Sequence, residues 1–273
     1  MKLGYIRKAL VALAACAALG ALAAPAATAT SVPEVGYERF TGCPHPGEMV
    51  TISICFDEVF ENGELKLGNI SIPISTPFTL SGGQTPAGSF HFNGFGGLEL
   101  VKQKVPGGII GFTGLPWLAG SLPPQDLVLY AQIELAGNPG DQLADPATLP
   151  IKVRFINPVL GTKCYVGSNA NPIHLNLTTG TTNPPAPAKP ITGKAGEASS
   201  TEGSIERIAG GTHVDNSFAV PGANGCVLTL FGYLPISLNG PINTQSALPS
   251  AAGKNQAILG FETEYAGVEL VYP

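Results

Sequence analysis

Charged residues are scarce in this sequence, and those present are spread along the chain. Asp, Glu, Lys and Arg make up 12% of the 273 residues, about half their share in an ordinary globular protein. Acidic residues outnumber basic ones by 19 to 14, and no cluster of Lys or Arg follows the first eight residues. Nucleic acids and anionic membranes bind basic clusters, so the sequence predicts that neither is a partner.

Motifs for catalysis and cofactor binding are also missing. The sequence has no G-x-S-x-G turn, which exposes the nucleophilic serine of many acyl-transfer enzymes. It has no C-x-x-C pair of the kind that binds zinc and no D-x-D-x-D-G loop for calcium. We therefore predict no cofactor, and the sequence favours a protein that is not an enzyme.

The residues that break helices are too numerous for a helical protein. The chain has 35 glycines and 25 prolines, and each destabilises the interior of a helix. Val, Ile, Leu and Phe are nevertheless too frequent for a disordered chain. The interpretation that remains is a chain of short strands joined by long Gly/Pro-rich loops. We therefore predict an all-β antiparallel β-sandwich, with a distorted β-barrel as the alternative.

One long uncharged stretch is present, at the N-terminus. A basic start at residues 1–8 precedes residues 9–27, which are mostly Ala, Leu and Val. The Ala-Thr-Ala sequence that ends at Ala29 fits the small-x-small rule of signal peptidase. These features predict a secretory signal peptide at residues 1–29 and export of residues 30–273 as a single β-rich domain.

Two alternatives stay open for the N-terminal stretch. Residues 9–27 are long enough to span a membrane and would then remain as an anchor. The sequence Leu-Ala-Ala-Cys that ends at Cys16 resembles a lipobox, in which Cys16 would carry a lipid. After residue 29 no second stretch could span a membrane, so the mature chain is predicted to have no transmembrane segment.

Four cysteines follow the predicted signal peptide, namely Cys43, Cys55, Cys164 and Cys226. An even number in an exported chain predicts two disulfides. Three pairings are possible, and we favour Cys43–Cys55 with Cys164–Cys226 because the first two are close in sequence and precede a long gap. A zinc site of four thiolates is disfavoured by the spacing and by oxidising surroundings.

Strands are indicated where apolar residues occupy every second position. The clearest case is residues 151–155, in which Ile, Val and Phe alternate with Lys and Arg. Similar patterns predict strands at residues 49–56, 70–75, 127–135, 173–178, 259–265 and 268–272. Residues 244–252 show a helical pattern. Residues 179–204 contain four prolines within 184–190 and are predicted to form a long loop over the domain.

His213 and Asp215 are the polar pair that most resembles a site. They are two residues apart on a predicted strand and therefore share one face. A metal site or a His–Asp acid/base pair could begin in this way, and so could a solvated polar face. His174 and Asn176 share a strand face in the same manner. Four aromatic residues could form a platform for sugars or belong to the core: Trp117, Tyr130, Tyr165 and Tyr233.

Four turn-rich segments of the C-terminal half have distinctive sequences. They are NPVLGTKCYVGS (157–168), PAKPITGK (187–194), VPGANGC (220–226) and LPSAAGKN (248–255). Through these segments, residues 151–265 resemble secreted two-disulfide proteins of high-GC Gram-positive bacteria, a group with no assigned activity. The resemblance implies an extracellular β-rich domain whose cysteines lie next to turns. It implies no activity and no functional residue.

The sequence thus favours a secreted or cell-envelope protein that is structural or binds a surface polymer or protein. One alternative is a secreted hydrolase or metal-dependent enzyme that uses His213 and Asp215. Another is a secreted inhibitor or interaction module that acts through the loop closed by the first disulfide. A concave pocket that holds His213, Asp215 and a third polar group would favour the enzyme.

Overall fold

Strands dominate the structure, which is a computed structural model. It describes four stretches of the chain: residues 32–47, 50–201, 204–230 and 234–273. The predicted signal peptide at residues 1–29, with the lipobox residue Cys16, lies outside the described residues, and so does Tyr233. Ser31–Pro273 form one compact unit. Within the described stretches, no helix has the length and apolar character needed to cross a membrane.

The described residues form sixteen strands and a few short helices. In chain order the strands are β1 (Ile54–Leu67), β2 (Ile70–Ile74), β3 (Phe78–Gln84), β4 (Phe90–His91), β5 (Gly97–Leu98), β6 (Lys102–Val105), β7 (Leu129–Leu135), β8 (Ala147–Ile156), β9 (Tyr165–Val166), β10 (Ile173–Leu177), β11 (Glu197–Thr201), β12 (Ile205–Asp215), β13 (Ala223–Asn224), β14 (Val227–Leu230), β15 (Leu234–Ser237) and β16 (Gln256–Gly267). The α-helices are α1 (Gly108–Thr113), α2 (Leu118–Ser121), α3 (Asn239–Ser246) and α4 (Val268–Val271). Short 3₁₀ turns lie at Glu38–Gly42, Pro124–Leu127 and Pro158–Leu160. The predicted all-β class is confirmed.

The first sheet is built around the long strand β1. Its strands lie in the order β11-β12-β16-β1-β3-β4, with β2 also paired to β1 and β5 to β3. The pairings of β1 with β16, β2 and β3 are antiparallel, as is that of β12 with β16. Along β1, the buried residues Phe56, Glu58 and Phe60 alternate with the more exposed Asp57 and Val59. One face of this sheet therefore points into the core and carries a buried carboxyl group.

The second sheet has the order β13-β9-β8-β7-β6, and β10 also pairs with β8. On β8, the residues Ile151, Val153 and Phe155 are buried, while Lys152 and Arg154 lie on the other face. The alternation of this strand was predicted from the sequence. The short strands β10 and β9 pair with the first and second halves of β8 along the same edge.

The two sheets pack face to face, which confirms the predicted sandwich, and they remain two open sheets. A cavity of about 10 Å³ lies between them. It is lined from the first sheet by Phe60, Leu65, Phe78 and Leu259, and from the second by Ile133, Leu149, Ile151 and Leu175. A cavity this small indicates a core close to the packing density of other proteins.

The disulfides join Cys43 to Cys55 and Cys164 to Cys226, the pairing favoured from the sequence. The first ties the N-terminal segment to β1 across 12 residues of sequence, and the second ties residues before β9 to residues before β14 across 62. All four cysteines are fully buried. By loop-closure entropy the two bonds stabilise the fold by about 3 and about 4 kcal/mol.

The prediction of a last strand at residues 268–272 is wrong. Val268–Val271 form helix α4, and Tyr272 follows the helix. Val268 and Val271 are one helical turn apart, and both pack into a small cluster around the first disulfide. Tyr272 also lies there, and its hydroxyl donates a 2.9 Å hydrogen bond to the carbonyl of Cys43. Periodicity cannot separate helix from strand in an apolar segment of five residues.

The predicted long loop at residues 179–204 is only partly a loop. Its last part, Glu197–Thr201, forms strand β11 and pairs with β12. Its first part folds back on itself through a bridge between Thr181 and Thr192. The sequence Glu-Ala-Ser-Ser-Thr shows no apolar alternation, yet an edge strand needs only a free backbone beside it, so the sequence pattern missed it.

The predicted boundaries of one strand and one helix differ from those in the structure. The strand predicted at residues 49–56 begins at Ile54 and continues to Leu67 as β1. The helical pattern at residues 244–252 corresponds to α3, which begins at Asn239 and ends at Ser246. In both cases the local pattern identified the type of element, and contacts with neighbouring elements set its limits.

Candidate functional site

His213 and Asp215 lie at the end of β12, but their side chains have different partners. Asp215 is fully buried. One carboxylate oxygen accepts hydrogen bonds from the backbone amide and the hydroxyl of Ser217, at 2.8 and 2.7 Å. The other accepts a 2.7 Å bond from the backbone amide of Asn176 on β10. Asp215 therefore joins the end of the first sheet to the second, and its oxygens are occupied by these donors.

His213 instead meets Glu58 inside the sandwich. Its Nε2 lies 3.3 Å from Glu58 Oε1, and both side chains are about nine-tenths buried or more. Thr263 donates a 3.2 Å hydrogen bond to the other oxygen of Glu58. The imidazole stacks on Phe261, with ring centroids 4.0 Å apart. A Cβ on Gly211 would lie 2.2 Å from the Phe261 ring, so a glycine at this position leaves space for the stack.

Sequence reasoning did not identify Glu58 as the partner of His213. It occupies the same alternating face as Phe56 and Phe60, so an acidic residue on an apolar face was the available signal. Within the described stretches, His213 Nδ1 is buried and has no hydrogen-bond partner. No group of three or more His, Cys, Asp or Glu side chains in the described residues could hold a metal ion.

Asp145 lies at the surface, in the segment before β8, and interacts electrostatically with His213. Partial desolvation raises the pKa of Asp145. The opposite effect is larger and comes from hydrogen bonds donated by Thr178 and Thr179 and from the charge of His213, so the pKa of Asp145 lies below its ordinary value. The carboxylate accepts a 2.9 Å bond from the Thr179 hydroxyl. Asp145 is thus held as a carboxylate that fixes the segment after β10.

A groove of about 680 Å³ opens on the surface beside β10. Its lining comes from the start and outer face of β10, from residues 217–221 and from residues 249–251. The polar side chains in the lining are Asn171, His174, Asn176, Ser217 and Ser250, and the apolar residues are Pro172, Phe218, Ala219, Val220, Pro221, Pro249 and Ala251. The groove therefore has both hydrogen-bonding and apolar surface.

Strand alternation and one buried amide position the lining of the groove. On β10, Ile173 and Leu175 point into the core, so His174 and Asn176 point outward. The buried side-chain amide of Asn255 donates hydrogen bonds to the carbonyls of Phe218 and Ala251, at 2.9 and 3.0 Å. It thereby ties together the two segments that form the far wall. Neither segment belongs to a long regular element, so no periodic pattern in the sequence indicates the groove.

The groove contains two serines, Ser217 and Ser250, and one histidine, His174. The hydroxyl of Ser217 donates a hydrogen bond to the carboxylate of Asp215. Within the described residues no hydrogen bond joins Ser217 to His174. A catalytic serine needs a base within hydrogen-bond reach, and that base is oriented by a third group. Within the described residues, neither Ser217 nor Ser250 is therefore paired with His174 as a nucleophile with its base.

The aromatic residues considered as a sugar platform are divided between regions. Tyr130 on β7 and Tyr165 on β9 lie on the outer face of the second sheet. Trp117 lies at the start of α2, half exposed, in the segment between β6 and β7. Tyr233 lies outside the described residues. Two of the four candidates thus share one face.

Four basic residues that are dispersed along the chain lie together in space. This corrects the expectation that the protein has no cluster of Lys or Arg. Lys102 and Lys104 on β6 and Lys152 and Arg154 on β8 all lie on the outer face of the second sheet. A strand separates the two pairs, and about 50 residues separate them in sequence. Only the sheet register brings them together, so a search for basic runs could not find them.

Asp57 lies on the outer face of the first sheet. Desolvation by burial raises the pKa of Asp57 from the ordinary value of 3.8 to about 6, while Ser81 and Arg39 act in the opposite direction. The neighbouring Glu58 adds to the rise. Folding therefore favours the protonated form of this carboxyl group in mildly acidic solution.

Comparison with known proteins identifies no relative: no family model, no curated protein and no solved structure matches this chain. The two disulfides indicate an extracellular protein, because such bonds persist in oxidising surroundings. The groove and the charged faces are therefore the features from which a function can be inferred.

Proposed function

We propose that this protein is exported and binds, without chemical conversion, an extended uncharged segment of a cell-envelope polymer in the groove. The observation that carries the proposal is the division of the lining between polar side chains and apolar surface. Sugars have the matching chemistry, since their ring faces are apolar and their edges carry hydroxyl groups. A few well-placed polar groups in a mainly apolar cleft are typical of a binding site.

The charge of the lining favours an uncharged ligand. Among the described residues that line the groove, none is Asp, Glu, Lys or Arg. A charged ligand group would have to leave water without gaining an opposite charge, which is costly. Neutral hydroxyl and amide groups would instead find donors and acceptors on Asn171, Asn176 and Ser217.

The position and support of the groove favour a polymer. The groove is open to the surface, so a chain can enter and leave without being enclosed. Asn255 holds two segments of its wall, and a bridge between Val220 and Ser250 links them again. A wall fixed before binding loses little conformational entropy when the ligand arrives.

Retention on uncharged polysaccharides tests this proposal. Residues 30–273 are incubated with insoluble bacterial cell-wall material, microcrystalline cellulose and chitin, and the bound fraction is measured. Replacing His174 and Asn176 together by Ala removes two polar groups of one wall, and we expect affinity to fall roughly tenfold or more. His91→Ala is the matched control, because His91 is also a partly exposed strand histidine but lies on β4 of the first sheet.

Two results would contradict the proposal. One is a wild-type protein that is not retained on any of the three materials. The other is a double variant that binds as tightly as the wild type while circular dichroism shows both to be folded.

A further inference from the structure

The outer face of the second sheet carries cations in a row. Strand register places Lys102 of β6 opposite Gln132 of β7, and Gln132 opposite Arg154 of β8. Tyr165 of β9 follows beside Arg154. Lys104 lies two residues from Lys102, and Lys152 lies two residues from Arg154, on the same face but on opposite sides of this row. We call these five residues, Lys102, Lys104, Lys152, Arg154 and Tyr165, the basic face.

The cations of the basic face are largely unneutralised. Glu134 is the acidic residue that the β6–β8 register places among them, and it lies 3.5 Å from Lys152. Within the described residues, Lys102, Lys104 and Arg154 form no ion pair. The face therefore has four cations and one carboxylate, although the whole sequence has an acidic excess of 19 to 14. Such a local excess is the electrostatic signature of a surface that binds anions.

Part of the basic face is held in place before any ligand arrives. The Lys152 ammonium lies 5.4 Å from the centre of the Tyr165 ring and donates a 2.9 Å hydrogen bond to Asn169. Lys102 and Lys104, in contrast, are exposed and free to follow a ligand. A fixed aromatic centre flanked by mobile cations suits a ligand with both flat apolar rings and negative charges.

We propose that the basic face binds a linear acidic polysaccharide, independently of the groove. Lys102 and Arg154 are two strands apart, which is about 10 Å. This spacing is close to the length of a disaccharide, so a glycan that lies across the strands with a carboxylate on alternate sugars meets both cations. Tyr130 is exposed on the same face and offers apolar ring surface to a sugar. A second copy of this chain fits less well, because Glu262 and Glu264 on the outer face of the first sheet are already paired with Arg207 and Arg39.

Fluorescence anisotropy with a labelled hyaluronan oligosaccharide, which carries a carboxylate on alternate sugars, tests this inference. Wild-type residues 30–273 should bind the probe, and binding should weaken as salt rises because exposed charges are screened. Lys102→Gln and Arg154→Gln should each weaken binding about fivefold, the effect of removing one cation near an anionic surface. Lys66→Gln is the matched control, since Lys66 is equally exposed but lies on the first sheet. It should bind as the wild type does.

The possible failures are distinct. Absence of probe binding at low salt would overturn the inference and would leave the groove proposal intact, since that proposal concerns uncharged polymers. Equal weakening by Lys66→Gln and Lys102→Gln would show dependence on net charge alone and would also overturn it. Tighter binding of single-stranded or duplex DNA of matched length through the same residues would replace the polysaccharide by nucleic acid as the partner. Far-UV circular dichroism of each variant confirms that the sheets are retained.

Discussion

The two sheets place their charges in opposite ways. The first sheet buries Glu58 with His213 on its inner face. On its outer face, Arg207 donates two hydrogen bonds of 2.7 and 2.6 Å to Glu262. The second sheet has apolar inner residues such as Val153 on β8 and leaves cations unpaired outside. The difference separates two roles. Paired charges hold a structure together, whereas unpaired charges remain available to a ligand.

The largest effect is expected inside the second sheet. Phe155 is almost fully buried and stacks on Phe112, with ring centroids 4.3 Å apart. Phe155→Ala removes this contact and leaves a cavity, so we expect the free energy of unfolding to fall by about 4 kcal/mol. Urea unfolding followed by tyrosine and tryptophan fluorescence measures the loss. Phe155→Leu, which keeps most of the volume, should lose clearly less, and an equal loss would show that packing is not the cause.

A smaller but specific effect is expected inside the first sheet. Glu58→Ala leaves His213 and Thr263 buried without their carboxylate, and we expect a loss of about 3 kcal/mol in unfolding free energy. Replacing Glu58 and His213 together by Leu removes both partners, so the double variant should be more stable than Glu58→Ala. The single variants Glu58→Leu and His213→Leu complete the double-mutant cycle, which is measured by urea unfolding. Additive losses would mean that the two side chains do not depend on each other.

The outer face of the first sheet predicts a dependence of stability on pH. Because folding raises the pKa of Asp57 to about 6, the unfolded chain loses this proton first as pH rises, and stability falls between about pH 4 and pH 6. Asp57→Asn should abolish this fall and should raise the unfolding free energy at pH 7 by about 2 kcal/mol. Urea unfolding at several pH values measures it. Glu61→Gln, at an exposed position of β1, should keep the pH dependence of stability. If the Glu61 variant lost this pH dependence, Asp57 would be excluded as its cause.

The smallest effect compares the two outer faces directly. Arg207→Gln breaks the two hydrogen bonds to Glu262, whereas Arg154→Gln breaks no ion pair among the described residues. The urea midpoint should therefore fall in the Arg207 variant and stay unchanged in the Arg154 variant, at low salt. Adding salt should reduce the difference. Equal midpoints would mean that charge pairing does not distinguish the two faces.

Strand alternation made much of the fold predictable. The pattern at residues 151–155 identified β8, and the even number of cysteines identified two disulfides. Helix α4 and strand β11 were not found, since one is too short for its periodicity to be read and the other has no apolar face. Contacts with neighbouring elements determine the conformation of both segments. Helix α4 packs into the cluster around the first disulfide, and β11 pairs with the edge of β12.

The candidate sites were less predictable than the fold. His213 and Asp215 were correctly placed on one strand, but the sequence could not show that Glu58 and Ser217 would be their partners. The sequence by itself determined the β-rich class, the cysteine content and the alternation of inner and outer residues, because these depend on local pattern and composition. The tertiary structure alone decided the groove wall held by Asn255 and the basic face, because residues distant in sequence meet there through strand register.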